Sequence, residues 1–165
     1  MKQAFVALGS NLEDPIQQVK SAFTALERIP RTRVTKKSSL YQTAPIGYET
    51  EQLTQVPDFI NAVAAVETDL TALELLDALF EIENSAGRER PYPNAPRVLD
   101  CDLLLYDDIV MNTEKLTLPH PRMHMRGFVL LPLFEIAPHV SIPNHGKISQ
   151  LMNPSLFSGI QKLEP

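Results

Sequence analysis

The sequence predicts an α+β domain: an antiparallel sheet with helices on one face, followed by a C-terminal extension. Three observations predict it. Apolar runs of strand length alternate with two longer segments of helical spacing. The order of these segments is strand, helix, strand, strand, helix, strand. The 14 prolines of the 165-residue chain fall largely between the segments rather than inside them.

Gln3 to Leu8 is short, apolar and closed by Gly9, which reads as a strand; Gly9-Ser10-Asn11 then turns the chain. Asp14-Pro15, with Gln17 three residues on, reads as an N-cap with proline at the first helical position. Ile16, Val19, Phe23 and Leu26 continue at helical spacing towards an end near Ile29-Pro30. Arg33 to Gln42, rich in β-formers, reads as one second strand, and Thr43 to Asp58 as a long polar loop. Phe59 to Thr68 is a third strand, apolar on both faces except at Asn61. Thr71 and Glu74 form a capping box ahead of Leu73, Leu76, Leu79, Phe80 and Glu83, with Gly87 as the C-terminal glycine. Pro96 to Tyr106 supplies the fourth strand, and Asp107-Asp108 reads as a hairpin turn into Ile109-Val110-Met111. This order is the ferredoxin-like βαββαβ plan. The extension holds a Pro/His segment (118–124), a short helix from Arg126 to Ile136 and small elements after Pro138. No repeat or linker divides the chain, so residues 1–165 read as one domain.

A net charge of −5 argues against a general nucleic-acid binder, though not against a small anionic substrate met by locally concentrated cations. Cys101 stands alone, which excludes an intrachain disulfide and a cysteine zinc site. There is no apolar run of about 20 residues and no signal pattern, so a cytoplasmic protein without a membrane partner is expected. The P-loop, G-x-G-x-x-G, H-E-x-x-H and G-x-S-x-G patterns are absent.

The chemistry concentrates between Arg88 and Tyr106. On a strand, Asp100 and Asp102 share a face, roughly 6–7 Å apart, while Leu99, Cys101 and Leu103 fill the other. Like charges at that distance repel by about 2–3 kcal/mol at an effective dielectric near 20. A divalent cation between them reverses the sign. Arg88, Arg90 and Arg97 precede the pair, and guanidinium is the planar fork that grips phosphate. Two readings stay open: a Mg²⁺-bound polyphosphate, or arginine–aspartate salt bridges closing a loop.

The run Leu118-Pro119-His120-Pro121-Arg122-Met123-His124-Met125-Arg126 offers a second cationic wall, with His120 a hydrogen-bond donor or general acid, or else a solvated loop. Asn61 either reads the edge of a heterocycle or bonds a neighbouring loop backbone. Phe59 shares its face and either stacks on such a ring, with Phe128 opposite, or is core. Glu83 either orients an arginine or makes a surface pair, and Asn11 reads chiefly as a turn residue.

On these blocks the chain resembles the 6-hydroxymethyl-7,8-dihydropterin pyrophosphokinase family (HPPK) of folate biosynthesis. The resemblance spans nearly the whole chain, through Ala7-Leu8-Gly9-Ser10-Asn11-Leu12, Pro57-Asp58-Phe59-Ile60-Asn61-Ala62, Gly87-Arg88-x-Arg90, Pro96-Arg97-Val98-Leu99-Asp100-Cys101-Asp102, Leu118-Pro119-His120-Pro121 and Arg126-Gly127-Phe128. It implies a Mg²⁺-dependent diphosphotransferase that moves the β,γ-pyrophosphoryl group of ATP to the pterin hydroxymethyl group and releases AMP. It further implies two Mg²⁺ on Asp100 and Asp102, with Arg88 and Arg97 joining them in catalysis. The nucleotide would meet Glu83, Arg88, Arg90, Arg97, Leu103, Lys115, Thr117, His120, Pro121 and Arg126. The pterin would meet Thr43, Pro45, Ile46, Gly47, Phe59, Asn61, Asp100 and Phe128. A monomer is expected. Where members often carry a bulky aromatic residue, this chain has Tyr92-Pro93-Asn94-Ala95. That loop and the one from Ile46 to Val56 are expected to close over the ligands. Two rival classes remain: a Mg²⁺-dependent phosphodiesterase with water as nucleophile, and a ferredoxin-like RNA-binding module. The second is disfavoured by the net charge and by the lack of an aromatic-rich strand.

Overall fold

The computed structural model describes residues 1–12, 14–43, 58–86 and 98–163. Within them, β1 (Lys2–Ser10) leads to α1 (Pro15–Glu27), β2 (Thr32–Lys37), β3 (Tyr41–Thr43) and β4 (Phe59–Thr68). α2 (Ala72–Ala86), β5 (Asp100–Tyr106), β6 (Met111–Asn112) and β7 (Thr117–Leu118) follow. The tail carries α3 (Gly127–Ile136), β8 (Ser141–Ile142), β9 (Gly146–Lys147) and β10 (Ile160–Lys162). The fold is α+β. Its six-stranded sheet has the order β10-β3-β4-β1-β5, with β2 also on β4, and every pairing is antiparallel.

Local signals act as their chemistry demands. The Asp14 carboxylate accepts from the Gln17 N–H at 3.4 Å, and Pro15 opens α1. At α2, the Thr71 N–H donates to Glu74 Oε1 (2.9 Å) and the Glu74 N–H to Thr71 Oγ1 (3.2 Å), so both capping-box bonds form. Ile16, Leu73 and Phe80 nevertheless stand about 40% exposed (40%, 39% and 40%), and Leu75 takes a buried place on α2.

Two expectations need correction and one is extended. The single strand from Arg33 to Gln42 is two strands. β2 runs along Ala64–Thr68 of β4 and β3 along Phe59–Asn61, on the same edge. The break follows from polar ties: Ser38 exchanges bonds with the Val63 backbone through its N–H and Oγ, both at 2.9 Å. Glu135 of α3 then accepts from the Ser39 N–H (3.0 and 3.1 Å), the Ser39 hydroxyl (2.9 Å) and the Tyr41 hydroxyl (2.8 Å).

Second, α1 and α2 share one face as expected, and the helix of the extension, to which no face was assigned, covers the other. α1 and α2 pack with Val6, Leu8 and Leu103, whereas α3 packs with Phe5, Val63, Ala65 and Leu104 on the other side. A sheet apolar on both faces needs cover on both. Third, Asp107-Asp108 does turn the chain, but β6 pairs with β7 and not with β5. The Thr113 turn, closed by its N–H and hydroxyl on the Leu116 carbonyl (3.0 Å each), sends the chain back on itself. Among the described residues no helix is long and apolar enough to cross a membrane.

Candidate active site

The strand alternation of β5 splits its residues as predicted. Leu99, Cys101 and Leu103 enter the core under α1 and α2, and Asp100 and Asp102 point the other way, half-buried. Pairing register sets their neighbours: Gly9 of β1 stands between Asn61 of β4 and Asp100 of β5, and Ala7 stands opposite Asp102. The bare Gly9 is what leaves room there. A Cβ at Gly9 would lie 2.8 Å from Asn61 Oδ1, below any ordinary contact distance.

This row floors a cavity of about 760 Å³. Thr43, Phe59, Asn61, Asp100, Asp102, Arg126 and Phe128 all line it. Among the described residues nothing bonds the Asn61 carboxamide, although Asn61 is only 9% exposed. The Thr43 hydroxyl is likewise buried without a partner among those residues. Buried polar groups left open toward a cavity are a ligand's complement. Arg126 stands 5.6 Å from the Phe128 ring centroid, in cation–π contact. Arg126, expected among nucleotide contacts, therefore lines the larger cavity.

A second cleft, about 270 Å³, opens on the far side of Asp102. Glu83, Leu103, Lys115, Thr117, His120 and Pro121 line it, all of them expected nucleotide contacts, and Asp102 belongs to both hollows. Glu83 is buried at 4% exposure, and its Oε2 accepts the Cys101 N–H at 2.8 Å. This carboxylate on α2 thus holds the backbone between the two aspartates from a buried position, while Arg88 and Arg90, the arginines it brackets in sequence, lie outside the described residues. Lys115 instead reaches Asp77 at 2.9 Å, an exposed bridge of small worth.

His120 is tied at both ends. Its N–H donates to the Leu104 carbonyl (2.9 Å), anchoring the loop to β5, and its Nδ1 accepts the Arg122 N–H (3.2 Å). Burial, aided by Arg126 and Arg122, lowers its pKa from the ordinary imidazole value against the pull of Asp102. A neutral ring with Nδ1 as acceptor carries its proton on Nε2, a hydrogen-bond donor at neutral pH.

No cluster of three or more histidine, cysteine, aspartate or glutamate side chains that could hold a metal occurs among the described residues. The Asp100–Asp102 pair nonetheless fits Mg²⁺, which takes hard oxygen donors from one or two carboxylates and completes its shell with phosphate and water. Arg88, Arg90, Arg97, Pro45, Ile46 and Gly47, and both loops expected to close, lie outside the described residues. Asn11 lines neither hollow. The expectations also missed a wall of the larger cavity made by Ser155, Leu156, Ser158 and Ile160. Gly127 seats that segment, since a Cβ there would meet the Leu156 carbonyl oxygen at 2.0 Å. Arg122 and Met125, also on the cavity, were missed as individuals within the 118–126 run.

Comparison with known proteins places the chain in a family. Residues 5–138 match the family model described as 7,8-dihydro-6-hydroxymethylpterin-pyrophosphokinase (HPPK). The chain is 41% identical over 165 residues to a 2-amino-4-hydroxy-6-hydroxymethyldihydropteridine pyrophosphokinase of Haemophilus influenzae, covering 100% of each. It is 40% identical over 163 residues to the Pseudomonas aeruginosa protein of the same name, covering 99% of this chain and 98% of that one. Among solved structures, Plasmodium falciparum HPPK-DHPS superposes with a TM-score of 0.72 at 16% identity, covering 98% of this chain and 47% of that one, a likeness of fold. The chain thus spans about half the length of that solved protein. On sequence, over its full length, the chain belongs to the 7,8-dihydro-6-hydroxymethylpterin-pyrophosphokinase family.

Proposed function

We propose that the protein transfers the pyrophosphoryl group of ATP to the hydroxymethyl group of 6-hydroxymethyl-7,8-dihydropterin, giving AMP and the pterin diphosphate in folate biosynthesis. One observation carries the reading: the two hollows meet at Asp102, one lined with aromatic rings and an open carboxamide, the other with the expected nucleotide contacts. An acceptor and a donor held on either side of one carboxylate are set for direct transfer.

In this reading Phe59 and Phe128 flank the pterin ring, and Asn61 and Thr43 bond its polar edge. His120 donates through Nε2 to a phosphate oxygen, and Arg126 faces the phosphates from the acceptor side. Arg88, Arg90 and Arg97 complete the cationic wall. The hydroxymethyl oxygen bonds to the β-phosphorus as its proton passes to water, the bond from that phosphorus to the α,β-bridging oxygen breaks, and the electron pair leaves with AMP. Asp100 and Asp102 would hold two Mg²⁺, which when bound offset the triphosphate charge and acidify the hydroxyl. No protein nucleophile is required. The antiparallel strand order supports the ferredoxin-like plan. The reading takes the protein as one domain, monomeric and cytoplasmic.

The test is an AMP assay with ATP and Mg²⁺, run with and without the hydroxymethyl-dihydropterin. AMP release that depends on the pterin, and stops with a chelator, supports the transfer. AMP release without the pterin means water is the acceptor, and the function is hydrolytic.

A further inference from the structure

Arg122 lines the larger cavity together with Asp100, Asp102 and Arg126, but not the smaller cleft. Its backbone is held in place. The Arg122 N–H donates to His120 Nδ1 (3.2 Å), its carbonyl accepts the Met125 N–H (3.1 Å), and the next residue, Met123, is fully buried. Its guanidinium has no carboxylate partner among the described residues. Arg31 and Arg33, by contrast, each pair with a glutamate, Glu74 and Glu67. A fixed backbone, an exposed charged head and a cavity that already holds two aspartates describe a cation kept for a mobile anion.

The cavity that Arg122 lines selects the anion. A nucleotide in the smaller cleft would meet Lys115, Thr117, His120 and Pro121. Arg122 lines not that cleft but the larger cavity, which in the proposed transfer is the side that receives the diphosphate. We propose that Arg122 holds the transferred diphosphate on the acceptor side, gripping the pterin diphosphate product and leaving AMP and the unmodified pterin untouched. The assignment rests on the transfer function proposed above.

Titration calorimetry with Mg²⁺ present tests it on the wild type, Arg122→Ala and Arg122→Lys, with pterin diphosphate, AMP and hydroxymethyl-dihydropterin as separate ligands. Arg122→Ala is expected to weaken the pterin diphosphate by about tenfold or more, with AMP and the pterin within about twofold. Arg122→Lys is expected to recover only part, because a point charge replaces a planar fork. Unchanged product affinity, or equal weakening of all three ligands, overturns the assignment. A wild type that binds neither the pterin nor its diphosphate overturns the transfer function itself, and the Arg122 role with it.

Discussion

Cys101 and Asp102 are neighbours in sequence and opposites in surroundings. Cys101 is 3% exposed, packed under the first two helices, with a thiol pushed well above its ordinary pKa by burial and by the nearby Glu83, Asp102 and Asp100 carboxylates. Asp102 is half-buried between two hollows. Along residues 99–103 one face is spent on cohesion and the other on chemistry, and the pleat separates them; beyond Leu103 both faces are core. Within residues 99–103, one parity should therefore affect activity with little change in stability, and the other parity the reverse.

The largest effect is expected from Asp102→Asn: turnover should fall about a thousandfold or more, with the midpoint of thermal unfolding nearly unchanged. Steady-state rates and a melting curve on the same preparation decide it, and near-normal turnover rejects the metal-pair role. On the opposite parity, Leu99→Ala should invert the pattern. Leu99 is buried in the core and lines neither hollow, so chemical denaturation should show a loss of about 2–5 kcal/mol, with the rate per folded molecule close to wild type. Gly9→Ala probes the row between the faces. Its Cβ would press on Asn61 Oδ1, so pterin affinity should drop about tenfold while nucleotide affinity holds, a split that fluorescence titration resolves.

The smallest effect is one of pH. Burial lowers the His120 pKa, so the unfolded chain binds that proton more readily than the native state does. Stability is then fully present above the ordinary imidazole value of about 6.5 and declines as pH falls below it. His124, lowered by burial and by its neighbour His145, acts in the same direction. His120→Asn should flatten the decline in part, as urea titrations across that window would show.

Much of this division was legible in the sequence. The i, i+2 aspartates announce their shared face, and the apolar run of Phe59 to Thr68, broken only at Asn61, marks a strand whose bounds the structure reproduces. The Thr71–Glu74 box is local chemistry and needs no tertiary context. What escaped depends on distant partners. The break after Lys37 is made by Glu135, nearly a hundred residues away, and no run of β-formers carries that information. The face chosen by α3 is set by which side of the sheet remains uncovered. The wall of Ser155, Leu156, Ser158 and Ile160 has no motif at all, and is placed by the pairing of β10 on β3. Arg122 lay inside a run already marked as cationic, where spacing alone does not separate one arginine from the next.

The position of β10 has a consequence for folding. Ile160 pairs with Thr43, and Gln161 and Lys162 continue along Gln42 and Tyr41, so one rim of the larger cavity is closed by a contact between distant parts of the chain. Pairings of such sequence separation carry a large closure entropy. A molecule whose sheet and interior have formed without that pairing has both aspartates and both phenylalanines, yet lacks one side of the chamber.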